Sequence, residues 1–148
     1  MTRGLDRIRS QPQVDVMFDH ADRRYEAFDR LAVRYEIMGL GAERIQAVEH
    51  SVAWYTEGKG EEDLGVHFFR RITDEDLIPP AATAGAFSTD LPASPLSYEG
   101  VIVKVRWCVR VRIFFAGGRD FVSEHVFEMG AIPPAQRVAT RVTVAGDP

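Results

Sequence analysis

The sequence predicts an all-β chain folded as an antiparallel β-sandwich of about seven strands. Three observations carry that expectation. Residues 101–115 set Val101, Val103, Val105, Trp107, Val109, Val111, Ile113 and Phe115 on one face of an extended chain, whereas a helix would scatter them around its circumference. The same two-residue alternation recurs in shorter runs on both sides of this segment. Only one stretch, Ala42–Trp54, carries a competing helical spacing.

Taken in order, Val14, Val16 and Phe18 alternate with Asp15, Met17 and Asp19, and Leu31, Val33, Tyr35 and Ile37 alternate with Ala32, Arg34 and Glu36. Both runs have the period of half-buried strands. In Ala42–Trp54, Ile45, Val48 and Val52 fit a helix, but Val52 to Thr56 is β-prone and runs into the turn residues Glu57-Gly58-Lys59-Gly60. A strand is therefore expected there, followed by another at Leu64–Arg71. Pro79, Pro80, Pro92 and Pro95 punctuate the next stretch, which reads as an extended connection without much regular structure. Gly117-Gly118-Arg119-Asp120 then turns the long strand into a partner at Phe121–Met129, forming a hairpin. Val138, Thr140, Val142 and Val144 suggest a last strand.

At 148 residues the chain has room for one domain with a substantial core, expected over 14–145 and preceded by a polar arm at 1–13. Hydrophobic residues make up 45% and charged residues 27%, the balance of an ordinary globular domain rather than a disordered chain. A net charge of −4 gives no general attraction to nucleic acid or to an anionic membrane, so neither is an expected partner. The apolar runs are too short for a membrane span or a secretory signal, and a cytoplasmic location is expected. A single cysteine, Cys108, cannot staple the fold or build a structural zinc cluster.

The segment Leu91-Pro92-Ala93-Ser94-Pro95-Leu96-Ser97-Tyr98-Glu99-Gly100, followed by the strand containing Trp107, resembles a part of arrestin-fold proteins. There a proline-containing extended stretch and a small aromatic loop lead into a long strand of alternating apolar and basic residues. Tyr25-Glu26-Ala27-Phe28-Asp29 before Leu31–Ile37 resembles the family's aromatic, turn and second strand, without the glycine usual in that turn; Ile45–Thr56 would be the next strand. The nearer relatives implied are bacterial sporulation-control-like arrestin proteins. The resemblance implies an immunoglobulin-like (arrestin-like) sandwich, one where arrestins ordinarily carry two. It also implies a non-enzymatic adaptor or scaffold that binds other proteins.

The reverse face of the 101–115 strand presents Ile102, Lys104, Arg106, Cys108, Arg110, Arg112 and Phe114, four cations in line. Same-face residues lie roughly 7 Å apart along a strand, so the stripe formed by Lys104, Arg106, Arg110, Arg112 and Phe114 is the candidate contact for an acidic or phosphorylated segment of another protein. The competing reading needs no partner: the cations pair across the sheet with carboxylates such as Glu124 and Glu128. Exposed edge strands offer a further route, self-association.

No enzyme is expected. Cys108 sits mid-strand, no Gly-x-Ser-x-Gly elbow occurs, and the acids have no spacing that singles out an acid and a base. Gly58-Lys59-Gly60 lacks the phosphate-loop spacing and is followed by Glu61, Glu62 and Asp63, which read as an exposed acidic tip. His20, His50, His67 and His125 are dispersed, so no metal or cofactor is expected, although folding could bring His50 and His67 together across a hairpin. The alternative function is a sandwich that binds a small molecule or acts as a minor hydrolase, with a pocket that no sequence pattern displays.

Overall fold

A computed structural model describes residues 11–60, 62–73, 75–77 and 83–130. Among them there are nine strands and no helix: β1 (Gln13–Phe18), β2 (Arg24–Tyr25), β3 (Arg30–Met38), β4 (Ile45–Gly58), β5 (Leu64–Thr73), β6 (Ala84–Asp90), β7 (Tyr98–Glu99), β8 (Val103–Phe115) and β9 (Asp120–Met129). Six of the seven expected strands are present as β1, β3, β4, β5, β8 and β9; the seventh, expected at Val138–Val144, lies outside the described residues, and β2, β6 and β7 are additional. No helix of the described residues is long and apolar enough to cross a membrane. The expected arm at 1–13 lies almost wholly outside the described residues, as do the expected strand at Val138–Val144, Pro79 and Pro80.

Two sheets face each other. The smaller has the order β1-β3-β6, and the larger has β2-β9-β8-β4-β5 with β7 also paired to β8. Pairing is antiparallel throughout except for β2, which runs parallel to β9. The alternation read from the sequence fills the space between them. Leu31, Val33, Tyr35 and Ile37 from β3 meet Val48 and Val52 from β4 and Trp107, Val109, Val111, Ile113 and Phe115 from β8, all buried. Trp107 Nε1 donates to the Pro95 carbonyl at 2.6 Å, giving its buried polar atom a partner and pinning the proline-containing stretch to the core.

The ambiguous Ala42–Trp54 stretch is strand from Ile45 onward. β4 lies between β8 and β5, and its small residues Ala47 and Ala53 are as fully buried as Val48 and Val52. Its inward face places the polar His50 between Val48 and Val52, and the register shifts between Ile45 and Ala47, so the apolar residues left in the pattern, Ile45, Val48 and Val52, fall at helical spacing.

Two expectations are corrected. The long strand starts at Val103 rather than Val101, and Val101 and Ile102 are exposed in a bend. Gly100 donates to the Val103 carbonyl and Lys59 to the Ile102 carbonyl, so the chain reverses tightly between β7 and β8. The connection expected around 79–95 contains β6, paired to β3 along its whole length. Its small residues have weak strand propensity, but the position opposite Tyr35 needs one: a Cβ on Gly85 would overlap the Tyr35 ring and hydroxyl.

Candidate partner-binding face

Because Trp107, Val109, Val111, Ile113 and Phe115 point between the sheets, Lys104, Arg106, Cys108, Arg110, Arg112 and Phe114 point to the outer face of the larger sheet. All five candidate contact residues therefore share one face in one line. Each cation meets a carboxylate. Lys104 Nζ lies 3.0 Å from Glu99, and Arg106 lies 2.6 Å from Glu57 and 3.5 Å from Glu99. Arg110 lies 3.0 Å from Glu124, and Arg112 lies 2.6 Å from Asp120.

These partners come from strands on both sides. Ser51 of β4, Arg110 of β8 and Glu124 of β9 form one cross-strand row, and Glu49, Arg112 and Val122 form the next. On β5, Arg71 pairs with Glu49 at 2.6 Å, so five cations on this face stand against five carboxylates. The stripe is a charge-compensated ladder rather than a bare cationic strip. Of the two carboxylates expected to pair with it, Glu124 does; Glu128 instead lies 3.8 Å from Arg24, because β9 meets β2 at that end. The Glu57 hydrogen bond holds the Arg106 guanidinium above its ordinary range, and the Lys104 hydrogen bond holds Glu99 below the usual carboxylate range.

Phe114 closes the stripe. The guanidinium carbons of Arg71 and Arg112 lie 4.8 Å and 4.7 Å from its ring centroid, so the ring holds two cations at fixed positions. Midway along the stripe Cys108 is fully buried between the larger side chains of neighbouring rows, and burial, followed by the charge of Glu124, pushes its thiol up to about 12. A thiol so protonated and covered is a poor nucleophile.

The histidines take separate places. In the β4–β5 register His50 faces Arg70, not His67, so the two do not meet as a pair. His50 is buried between the sheets with Nδ1 2.8 Å from the Tyr35 hydroxyl, and its ring stacks on Phe87 at 4.5 Å. His67 Nε2 meets the Asp90 carbonyl at 2.7 Å, tying β5 to the end of β6. Among the described residues no group of three His, Cys, Asp or Glu side chains is arranged to hold a metal. One arrangement escaped the sequence reading: Ser123 Oγ lies 2.6 Å from His125 Nε2. Their two-residue spacing on a single strand was its only signal.

The described residues form surface depressions, among them one on each sheet. One, of about 350 Å³, opens at the Arg106 end of the stripe and is lined there by Arg23, Arg24, Tyr98, Glu99 and Glu128 as well. The other, of about 460 Å³, lies on the smaller sheet around Met17, Arg34 and Ser88.

The sequence matches no protein-family model and no curated protein. Among solved structures, the chain superposes on Spo0M, a sporulation control protein from Bacillus subtilis, with a TM-score of 0.55 and 14% sequence identity. The fold is an arrestin-like β-sandwich. The match covers 83% of this chain and 51% of Spo0M, so the chain spans about half the length of that protein. At this identity the likeness is one of fold.

Proposed function

We propose that the protein is a non-enzymatic, cytoplasmic adaptor or scaffold module that binds an acidic or phosphorylated segment of another protein along the outer face of its larger sheet. The observation behind this reading is the ladder itself: Arg106, Arg110 and Arg112 are held in strand register with Phe114 at their end, each on a carboxylate from the same sheet. The Arg112 pair is exposed and the Arg106 and Arg110 pairs are half-buried with carboxylates that reach solvent; surface ion pairs contribute roughly 0–1 kcal/mol, so exchanging one carboxylate for another costs little. An incoming phosphate or carboxylate run would find guanidiniums already ordered, with less side-chain freedom left to lose. Phe114 would supply an apolar contact beside them.

The test is capture of acidic and phosphorylated peptides by the wild type and by a variant combining Arg110→Glu with Arg112→Glu. Abolished capture by a folded variant supports the reading, and unchanged capture removes the stripe from consideration.

The depression at the Arg106 end favours a second reading, a small anionic ligand held by Arg23, Arg24 and Arg106. A thermal-shift screen with anionic metabolites separates the two, since only this second reading predicts a large ligand-dependent shift.

A further inference from the structure

We infer that β5 is a self-pairing edge, through which two copies of this chain join antiparallel into one continuous sheet. The inference is independent of whether the ion-paired face binds a partner.

β5 ends the larger sheet, and among the described residues nothing pairs with its far side. It is ten residues long and contains no proline, the residue that commonly blunts such edges. On its outer face Leu64, Val66 and Phe69 are 59%, 58% and 54% exposed. An exposed apolar edge of this length is a template for another strand.

Two features select a second copy as that strand. The first is the bulge. Val52 pairs with Phe68 but Ala53 pairs with Val66, so His67 is an extra residue, and Val66 and Phe69 both point outward across it. In a regular strand two residues with this spacing would face opposite ways. Antiparallel self-pairing centred on the bulge sets Val66 opposite the partner's Phe69 and Leu64 opposite the partner's Arg71, outer face to outer face. In this register His67 of each strand faces the partner's Phe68, so the two bulges lie side by side and neither strand is out of step.

The second feature is charge. Glu62 and Asp63 precede the strand, and Arg70 and Arg71 lie near its end, all exposed. Antiparallel symmetry brings Asp63 diagonal to the partner's Arg70 and Glu62 diagonal to the partner's Arg71, which also pairs with Glu49 of its own sheet, within reach of long side chains. Parallel addition would set like charges together. The arrangement is isologous and closes as a dimer.

The test is sedimentation of the full chain over about a hundredfold range of concentration, at low and high salt. The wild type should pass from monomer to dimer, with weaker association at high salt. Val66→Lys with Phe69→Lys should weaken association at least tenfold while leaving circular dichroism unchanged. A variant with Arg70→Glu and Arg71→Glu and another with Glu62→Lys and Asp63→Lys should each stay monomeric alone and form a heterodimer when mixed. That rescue separates lost pairing from lost folding. A wild type that remains monomeric throughout overturns the inference. So does a dimer indifferent to the Lys substitutions, or a pair of folded charge variants that ignore each other.

Discussion

The Tyr35 hydroxyl lies 2.8 Å from Nδ1 of His50 in the space between the two sheets, while Nε2 of the same ring has no hydrogen-bond partner among the described residues. A second proton on this ring would carry a buried charge. Burial first, and the nearby Arg70 guanidinium second, therefore lower the His50 pKa to about 4.

That shift makes folding sensitive to acid. Between about pH 6.5, where His50 titrates in the unfolded chain, and about pH 4, the unfolded state binds the extra proton and the folded state does not. Stability is therefore full above the unfolded value and falls as pH drops through this window, by about 1.4 kcal/mol for each unit of pKa difference. His50→Gln should flatten the dependence. Urea unfolding midpoints at pH 7, 6, 5 and 4 check this; parallel curves for wild type and variant would show that the acid sensitivity arises elsewhere.

Phe28 is the third residue of the turn closed by the Asp29 N–H on the Glu26 carbonyl, with a φ of 71° and 72% of its surface exposed. A side chain in this left-handed region costs roughly 1–2 kcal/mol, while glycine adopts it without strain but loses more freedom on folding. Phe28→Gly should therefore stabilise the protein by about 0.5–1 kcal/mol in chemical denaturation. A loss of stability would mean that the exposed ring makes a contribution larger than the strain.

Gly85→Ala should have the opposite effect. The added methyl would overlap the Tyr35 ring, and that ring is buried and engaged with His50, so it has little room to move. Overpacking of this kind costs typically 1–3 kcal/mol. A thermal melt unchanged from wild type would contradict the tight pairing of β6 on β3.

Cys108 should resist modification. Its thiol is fully buried and raised to about 12, so a thiol-reactive probe at pH 8 should label the native protein only as fast as it opens, and the urea-unfolded protein at once. Immediate labelling of native protein would place the thiol on an open surface.

Much of the sandwich was legible because β3 and β8 keep strict alternation, with Leu31 to Ile37 and Trp107 to Phe115 packed from opposite sheets. β6 was not legible. Ala84, Gly85 and Ala86 carry little strand propensity, and what holds them is backbone pairing with Glu36, Tyr35 and Arg34 of β3, a long-range relationship that local sequence does not contain. The line of Lys104, Arg106, Arg110 and Arg112 was readable from alternation alone. Of its counter-charges, Glu124 followed from the hairpin, since it stands directly opposite Arg110. Glu57 and Glu99 depended on the β4–β8 and β7–β8 registers, and the Ser123–His125 contact depended on rotamers.

The proposal that a partner takes these arginines from their own carboxylates has one direct test: the affinity of a phosphorylated, glutamate-rich peptide for the wild type and for the Asp120→Asn, Glu124→Gln variant, measured by calorimetry. Releasing Arg112 and Arg110 by neutralising their two carboxylates, which makes the net charge two units more positive, should tighten binding about fivefold at high salt, where the general attraction is screened, the equivalent of roughly 1 kcal/mol of ion pairing no longer displaced. Equal or weaker binding by the variant would contradict it.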